Sequence, residues 1–314
     1  MFFIKTRITE ILGIKYPIIQ GGMAWIATGE LAGAVSKAGG LGIIGAGNAP
    51  PEIVEKEIAK VREITNKPFG VNVYYLSPYV EEIINLVIDK KISIITTGAG
   101  NPGKHLSALQ EAQVKVFPVV ASVALARRLE RLGVDGLIAE GMECGGHIGE
   151  TTTMALTPQI VDAVNIPVVA AGGIADGRGM LAAMALGAEG VQIGTRFICT
   201  TECIAHDAYK KEIIKAKDRD TVVTGVHGHH VRCLKNKLTK EFIKRVESGV
   251  SLEELGELGA GKLKIAAIDG DMDMGSIMAG QVCAMINTIT SVENVINEIM
   301  EGFKNNLKKL QNLG

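Results

Sequence analysis

Eight short apolar runs, each rich in β-branched residues and each ending in turn residues, recur along the first two thirds of the chain. They begin at Pro17, Leu41, Phe69, Ile92, Lys115, Gly136, Pro167 and Gly190. Successive runs are about 20 to 30 residues apart, which leaves room for one helix and two loops in each interval. Runs this uniformly apolar predict strands that are buried on both faces, as in a parallel sheet covered by helices. The pattern therefore predicts a series of βα units.

Helical patterns fill most of the intervals between these runs. Apolar residues recur with helical spacing in the segments 29–39, 52–64, 79–90, 122–133 and 177–188, and several of these segments end at glycine. Eight βα units in about 200 residues favour an α/β fold of the closed (β/α)8 TIM-barrel type. An open, doubly wound sheet is the alternative.

The regular spacing stops at about Cys199. The segments 204–218 and 238–261 predict helices, and 266–275 predicts a glycine-rich turn region. A last amphipathic helix is predicted from about Ala279, through a break, to Leu310. We therefore expect a barrel domain over 1–199 that is completed by 276–314. A mainly helical insertion over 200–275, following strand eight, is expected to form a lid near the substrate entrance.

Charge and hydropathy exclude several classes of protein. The 33 Lys and Arg against 34 Asp and Glu give a net charge of -1, so nothing favours nucleic acid or anionic lipid as a partner. No apolar run reaches the roughly 18 to 20 residues of a membrane span. Lys5 and Arg7 leave no room for the apolar core of a signal peptide, so a cytoplasmic location is expected. The five cysteines, odd in number and widely scattered, are expected to be free thiols.

Glycine is unusually frequent, with 38 residues, and many of these glycines follow the predicted strands. In a barrel of this type the loops after the strands build the active site, and glycine lets backbone amides approach a ligand closely. The loops after the seventh and eighth strands are the usual phosphate site, here Gly172, Gly173, Gly194 and Thr195. Because no dinucleotide or P-loop fingerprint is present, the phosphate of a mononucleotide is favoured. The alternative is that these glycines only allow tight turns.

The run EGMECGGHIGE, at the end of the sixth strand, contains the main candidate for proton transfer. His147 follows two glycines, so its imidazole has open access to a flat ligand and can exchange a proton near pH 7. The alternative is a histidine that only satisfies a loop carbonyl. Cys144 is expected to be a packed thiol, and the spacing of Glu140, Glu143 and Glu150 does not define a carboxylate pair.

Two features of the insertion allow more than one interpretation. His227, His229 and His230 suggest zinc, but no CxxC or HExxH partner accompanies them, which favours surface or lid histidines. The segment 204–245 carries a net charge of +6. This charge indicates either a basic rim that attracts an acidic partner or ordinary solvated helix faces.

Taken together, the motifs QGGMAW, GVNVYY, ITTGAGNP, AEGMECGGHIGE, AAGGIADG, GVQIGTRF and GSIMAGQ resemble one family over essentially the whole chain. This family is the flavin-dependent enoyl-acyl carrier protein reductases of bacterial type II fatty-acid synthesis, called enoyl reductase II. It belongs to a superfamily with the nitronate monooxygenases.

The resemblance implies a TIM barrel that binds FMN, takes hydride from NADH or NADPH and passes it through FMN N5 to a trans-2-enoyl thioester. It also implies an acidic acyl carrier protein or acyl thioester as partner and a homodimer, and some family members need a monovalent cation. The alternative is a nitronate monooxygenase that oxidises nitronates with O2 on the same flavin. HIGE in place of an arginine-bearing GGHRG, and the basic insertion, favour the reductase. The segment TGVHGHHVRCLKN matches the reductase pattern only loosely, which leaves the choice of substrate open.

The resemblance also implies roles for individual residues. His147 matches the active-site histidine, which assists protonation or stabilises an oxyanion. The residues expected to bind FMN are Gly22, Met23 and Ala24 beside the ring, Asn72, Glu140 and Gly146, then Gly172, Gly173, Gly194 and Thr195 at the phosphate, and Ser276, Met278 and Gln281 in a returning loop.

Overall fold

Eight parallel strands form a barrel in the computed structural model, which describes residues 4–226 and 228–312. The barrel strands are β1 (Ile18–Gln20), β2 (Gly42–Gly45), β3 (Phe69–Tyr74), β4 (Ile94–Gly98), β5 (Lys115–Val120), β6 (Leu137–Glu140), β8 (Val168–Ala171) and β9 (Gly190–Ile193). Their spatial order is β1-β9-β8-β6-β5-β4-β3-β2. A parallel bridge between Ile19 and Leu41 joins the first strand to the start of the second and closes the ring. The predicted (β/α)8 architecture is confirmed.

A second, smaller sheet lies outside the barrel and was not predicted. It consists of β7 (Gly146–His147), β10 (Thr221–Thr224) and β11 (Val231–Leu234), in the antiparallel order β10-β11-β7. This sheet joins the insertion to the loop that follows β6.

Helices surround the barrel and build most of the insertion. They are α1 (Arg7–Leu12), α2 (Gly29–Ala38), α3 (Pro51–Ile64), α4 (Val80–Asp89), α5 (Leu106–Glu111), α6 (Val123–Arg131), α7 (Thr153–Val161), α8 (Gly177–Ala185), α9 (Thr195–Ile198), α10 (Asp207–Lys215), α11 (Lys237–Glu247), α12 (Leu252–Gly259), α13 (Lys262–Lys264) and α14 (Val292–Gln311). Pro102–His105 and Gln281–Met285 form 3-10 turns, and Ile265–Asp269 forms a π-helical turn. None of the described helices is both long and apolar enough to cross a bilayer.

The barrel interior is packed with apolar side chains from alternate strand positions, because successive strand residues face opposite sides. Fully buried members of this interior are Ile19, Ile43, Ile94, Phe117, Ile138 and Val169. Helix α1 adds Ile8 and Leu12 to the same cluster. Two outer apolar layers lie between the strands and the surrounding helices. The interior is therefore a solid core, and ligands must bind at the ends of the strands.

Two expectations for the last third of the chain hold only in part. The segment predicted as a turn region begins with the π-helical turn Ile265–Asp269. The last helix begins at Val292 rather than near Ala279, because the Ser291 side chain accepts a hydrogen bond from the Asn294 amide and caps it there. The chain from Ala279 to this cap contains only a 3-10 turn. The boundaries assigned to the insertion remain a prediction.

Candidate active site

The loops at the carboxyl ends of the barrel strands bring the predicted site residues together. Asn72 in β3 lies directly against Gly22 in the loop after β1, so closely that a Cβ on Gly22 would overlap the Asn72 side chain. The Asn72 amide donates to Thr96 Oγ1 at 2.9 Å. Gly194, after β9, lies beside the Met23 sulfur. Four of the expected cofactor residues therefore share one side of the mouth.

Several backbone amides at this mouth have no acceptor. Among the described residues, the amides of Gly22, Met23 and Ala24 donate to no carbonyl or side chain, and neither do those of Gly172 and Gly173. Gly172 and Gly173 have φ angles of 87° and 72°, which glycine adopts without strain. These residues are half-buried or exposed at the mouth, so their amides are open to a ligand rich in acceptor oxygens.

Glu143 has a structural part in the loop that carries His147. Its carboxylate accepts hydrogen bonds from Thr153 N at 2.7 Å and Thr153 Oγ1 at 2.8 Å, at the amino end of α7. Its carbonyl accepts from Gln281 N at 2.9 Å. A carboxylate at a helix amino terminus is stabilised by the unpaired amides and the helix dipole. Glu143 therefore anchors the loop on both sides, with Oε2 of its carboxylate bound to the amino end of α7.

Glu140, at the end of β6, is a half-buried acid with an unusual ionisation. Burial raises its pKa to about 7, and a hydrogen bond with Cys144 opposes part of this rise. Burial also raises the pKa of the Cys144 thiol well above its ordinary value. Cys144 is therefore a protonated thiol at neutral pH, as expected for a packed cysteine. All five cysteines are free and buried.

His147 lies in β7, where it pairs with Val231 of β11. Its side chain is exposed to the mouth, but the surrounding protein lowers its pKa by desolvation, and the charge of His229 lowers it further. The imidazole is consequently neutral at pH 7. Its ring centroid is 6.1 Å from that of Tyr74, at an interplanar angle of 33°. Tyr74 was missed in the sequence, although the two-residue strand period from Asn72 could have indicated it.

The segment 275–281 returns from the insertion to the mouth. The Tyr209 hydroxyl donates to the Met278 carbonyl at 2.8 Å, and Ser276 Oγ contacts Cys233 Sγ at 3.2 Å. The Met278 sulfur lies beside Gly146, and the Gly280 amide donates to Thr195 Oγ1 at 3.0 Å. Met278 is thus placed next to the histidine loop, whereas the Gln281 side chain is exposed.

Arg232 braces the histidine loop from behind. Its guanidinium is 4% exposed and donates through Nε and Nη2 to the Met142 carbonyl at 3.1 and 3.0 Å. Lys210 is buried as well and donates to the carbonyls of Thr200 and Cys203 at 2.9 and 2.6 Å. Both residues lie in the segment 204–245, whose net charge is +6. Their charges face the interior, so they add little to a basic surface.

His229 and His230 of the insertion lie close to this loop. The His230 carbonyl accepts a hydrogen bond from Ile148 N at 3.1 Å. His227, the third histidine of the cluster, lies outside the described residues. Among the residues that the structure covers, no group of three or more His, Cys, Asp or Glu is placed to hold a metal ion.

Comparison with known proteins places this arrangement in a family. A family model described as nitronate monooxygenase matches residues 5–85 and 78–302. The chain belongs to the nitronate monooxygenase family. It is 35% identical to a probable nitronate monooxygenase of Staphylococcus aureus (strain MSSA476), over 94% of this chain and 97% of that protein. It is 36% identical to a probable nitronate monooxygenase of Staphylococcus saprophyticus, over 95% and 99%.

Solved structures of family relatives agree with this assignment. The structure of FabK from Thermotoga maritima matches with a TM-score of 0.96 and 47% identity, over 99% of both chains. A nitroalkane oxidase from Streptomyces ansochromogenes matches with a TM-score of 0.84 and 25% identity, over 97% of this chain and all of that one. The resemblance deduced from the motifs is confirmed, and this member of the nitronate monooxygenase family is an oxidoreductase.

Proposed function

We propose that this protein is an FMN-dependent enoyl-acyl carrier protein reductase that uses NADH or NADPH. The similarity to FabK carries the proposal, because 47% identity over 99% of both chains exceeds the 35 to 36% shared with the probable nitronate monooxygenases. The reductase type of histidine loop, HIGE, points the same way. Expected reactants are a trans-2-enoyl thioester and a reduced nicotinamide nucleotide.

The residues at the mouth fit FMN. The free amides of Gly172 and Gly173, with Gly194 and Thr195 opposite, would hold its phosphate. The free amides of Gly22, Met23 and Ala24 would face its ring system. Asn72, Glu140, Gly146, Met278 and Gln281 complete the proposed binding set. When bound, FMN supplies the hydride that reaches the β-carbon of the enoyl thioester.

His147 is the side chain that assists the chemical step. Addition of hydride to the β-carbon moves an electron pair to the thioester oxygen, which becomes an oxyanion. A neutral imidazole can donate its N–H to that oxygen, and the lowered pKa of His147 keeps it neutral at pH 7. The α-carbon then takes a proton from water, either directly or relayed through His147, which regains a proton from water as it gives one up; the product is the saturated thioester. The braced loop holds the imidazole in place for this step.

Nitronate oxidation by O2 is the second candidate, favoured by the family model and the curated relatives. A nitronate is a planar anion, so its oxygens could take the place of the thioester oxygen at the same imidazole. The first candidate is preferred because of the greater similarity to FabK.

An acidic carrier protein is the proposed partner of the insertion. Exposed basic side chains remain there after Lys210 and Arg232 are set aside, and they include Lys211, Lys217, Arg219 and Lys240. Such a surface would accelerate association with an acidic partner at low ionic strength. A homodimer, a monovalent-cation requirement and the cytoplasmic location remain predictions.

Stopped-flow mixing tests the proposed function. In one arm the FMN-loaded protein is reduced with NADH in the absence of oxygen and mixed with a crotonyl carrier thioester. In the other arm the oxidised protein is mixed with a nitronate in air-saturated buffer. Rapid reoxidation by the thioester, with butyryl thioester as product, is expected. Nitronate consumption without thioester reduction would favour the second candidate. A protein that takes up no FMN would contradict both.

A further inference from the structure

Tyr74 lies at the mouth on the same side of β3 as Asn72. Successive strand residues alternate between faces, so residues two apart share a face, and Tyr74 is one step nearer the open end. Its ring is half-buried and faces the His147 imidazole, with the centroids 6.1 Å apart. Asn72 is one of the proposed FMN ligands. Tyr74 and His147 are therefore neighbouring rings at the mouth, near the proposed cofactor position.

Open space lies beside the Tyr74 ring. Gly98 of β4 is in register with Tyr74, so a side chain at this position would share the same face of the sheet. A Cβ on Gly98 would meet no atom within 4 Å, whereas Cβ atoms on Gly22, Gly45 and Gly70 would clash with their neighbours. Gly98 thus leaves a gap at the mouth in an otherwise tightly packed part of the barrel.

The backbone behind Tyr74 is held firmly. Tyr75 N donates to the Gly98 carbonyl at 3.0 Å, and the Tyr75 hydroxyl is 2.9 Å from His105 Nδ1. His105 Nε2 is in turn 3.0 Å from the Glu81 carboxylate. This chain of bonds ties the loop after β3 to the loop after β4. Tyr74 therefore belongs to a rigid part of the mouth, on which a substrate can be oriented.

We propose that the Tyr74 ring, beside His147, is one wall of a substrate slot over Gly98, and that this slot takes the flat, conjugated part of an α,β-unsaturated thioester. The inference rests on the proposed function and names a specificity-determining residue for it. The ring, rather than the hydroxyl, has this role. A planar acceptor over Gly98 would stack on the aromatic face, and the neighbouring imidazole would then be placed next to the thioester oxygen.

Steady-state and rapid kinetics of the FMN-loaded protein test the proposal. Tyr74→Ala is expected to raise KM for crotonyl thioester about 3- to 10-fold, the range of one lost aromatic contact, with a smaller change in kcat. Tyr74→Phe keeps the ring and should stay within about twofold of the wild type. Gly98→Leu fills the slot and should lower kcat/KM roughly 10- to 200-fold.

Leu76→Ala is the matched control. Leu76 lies in the loop that follows β3 and is 64% exposed, so this variant should leave the KM and kcat values unchanged. Titration of His147 by NMR gives a readout that does not depend on turnover. Removal of the Tyr74 ring takes away part of the protein that desolvates the imidazole, so the His147 pKa should rise toward its ordinary value of 6.5 in Tyr74→Ala.

The outcomes separate the two proposals. If the wild-type protein reduces no enoyl thioester, the proposed function is wrong. If the wild type is active and Tyr74→Ala matches it in KM and in the His147 titration, the slot is wrong and the function stands. Equal impairment of Tyr74→Phe and Tyr74→Ala would also overturn the assignment to the ring.

Discussion

His147 acquires its properties from its surroundings. The glycines before it open access to the imidazole, and β11 fixes its backbone through the pairing with Val231. Desolvation and the nearby His229 keep it neutral at pH 7. A neutral, fixed imidazole can donate a hydrogen bond from its protonated ring nitrogen to a developing oxyanion.

Replacement of His147 tests this part of the mechanism. His147→Ala should keep FMN bound but lower enoyl reduction roughly 10²-fold or more, the usual contribution of one acid or oxyanion donor. His147→Gln retains an N–H donor and should be less impaired. Single-turnover reoxidation by crotonyl thioester measures both variants. Wild-type rates in His147→Ala would remove this residue from the mechanism.

Glu140 should make the cofactor-free protein sensitive to pH. Its pKa is raised from 4.5 to about 7, so the folded state binds this proton more tightly than the unfolded state. Stability from this group is therefore present below pH 4.5, is lost as pH rises, and stays lost above pH 7. The free energy of unfolding that is lost when Glu140 ionises in the folded protein is on the order of 3 kcal/mol. Glu140→Gln cannot ionise, so it should gain stability relative to the wild type between pH 5 and pH 8.

Urea denaturation of the cofactor-free protein at the two pH values measures this difference. Glu143→Gln serves as a comparison, because it changes a carboxylate of the same loop that is bound to the amino end of α7. An equal stability difference at pH 5 and pH 8 for Glu140→Gln would show that Glu140 does not titrate in this range.

The hairpin of β10 and β11 supports the active-site loop as a unit. Arg232 of β11 donates two hydrogen bonds to the Met142 carbonyl and one to Thr221 Oγ1 at 3.2 Å. Since the guanidinium has a fixed fork of donors, lysine cannot reproduce these bonds. The small sheet thus couples the insertion to the loop that carries His147.

Arg232→Lys is expected to lower the free energy of unfolding by about 1 to 3 kcal/mol, because buried acceptors lose their donors. It should also lower kcat for enoyl reduction, since the His147 loop loses its brace. Lys240→Arg, at an exposed position on α11, is the control and should change neither value. An Arg232→Lys protein with wild-type stability would contradict the proposed brace.

The whole barrel depends on a helix that follows the insertion. Helix α14 packs between α8 and α2, so the final chain segment completes the outer ring. The crossing with α8 is so close that a Cβ on Gly177 would overlap the backbone at Gly302 and Phe303. The ring of helices is therefore closed by a contact between residues that are far apart in the sequence.

Gly177→Ala is expected to destabilise the protein by about 1 to 3 kcal/mol, because α8 and α14 must move apart. Gly256→Ala is the matched control. A Cβ at this exposed position in α12 meets no atom within 4 Å. The control should therefore be neutral or stabilising by up to about 1 kcal/mol. Thermal denaturation measures both variants. Equal melting temperatures for Gly177→Ala and Gly256→Ala would contradict the close crossing of α8 and α14.

The sequence sufficed for the barrel, because its strands and helices are marked by local signals. Uniformly apolar runs indicate strands buried on both faces, and apolar residues with helical spacing indicate the covering helices. The candidate site could also be located, since parallel strands place all their carboxyl ends at one edge. The glycine-rich loops and His147 follow from that rule.

Other features were decided only by the tertiary structure. Pairing of β7 with β11, burial of Arg232 and the approach of Tyr74 to His147 each join residues that are distant in the chain. Arg232 has the same charge in a buried brace as on a basic surface, so its residue type could not distinguish the two. Local patterns record the faces that each element buries, whereas contacts between loops depend on where the closed barrel places them. For that reason the sequence determined the barrel and its catalytic edge, and the folded chain determined how that edge is shaped.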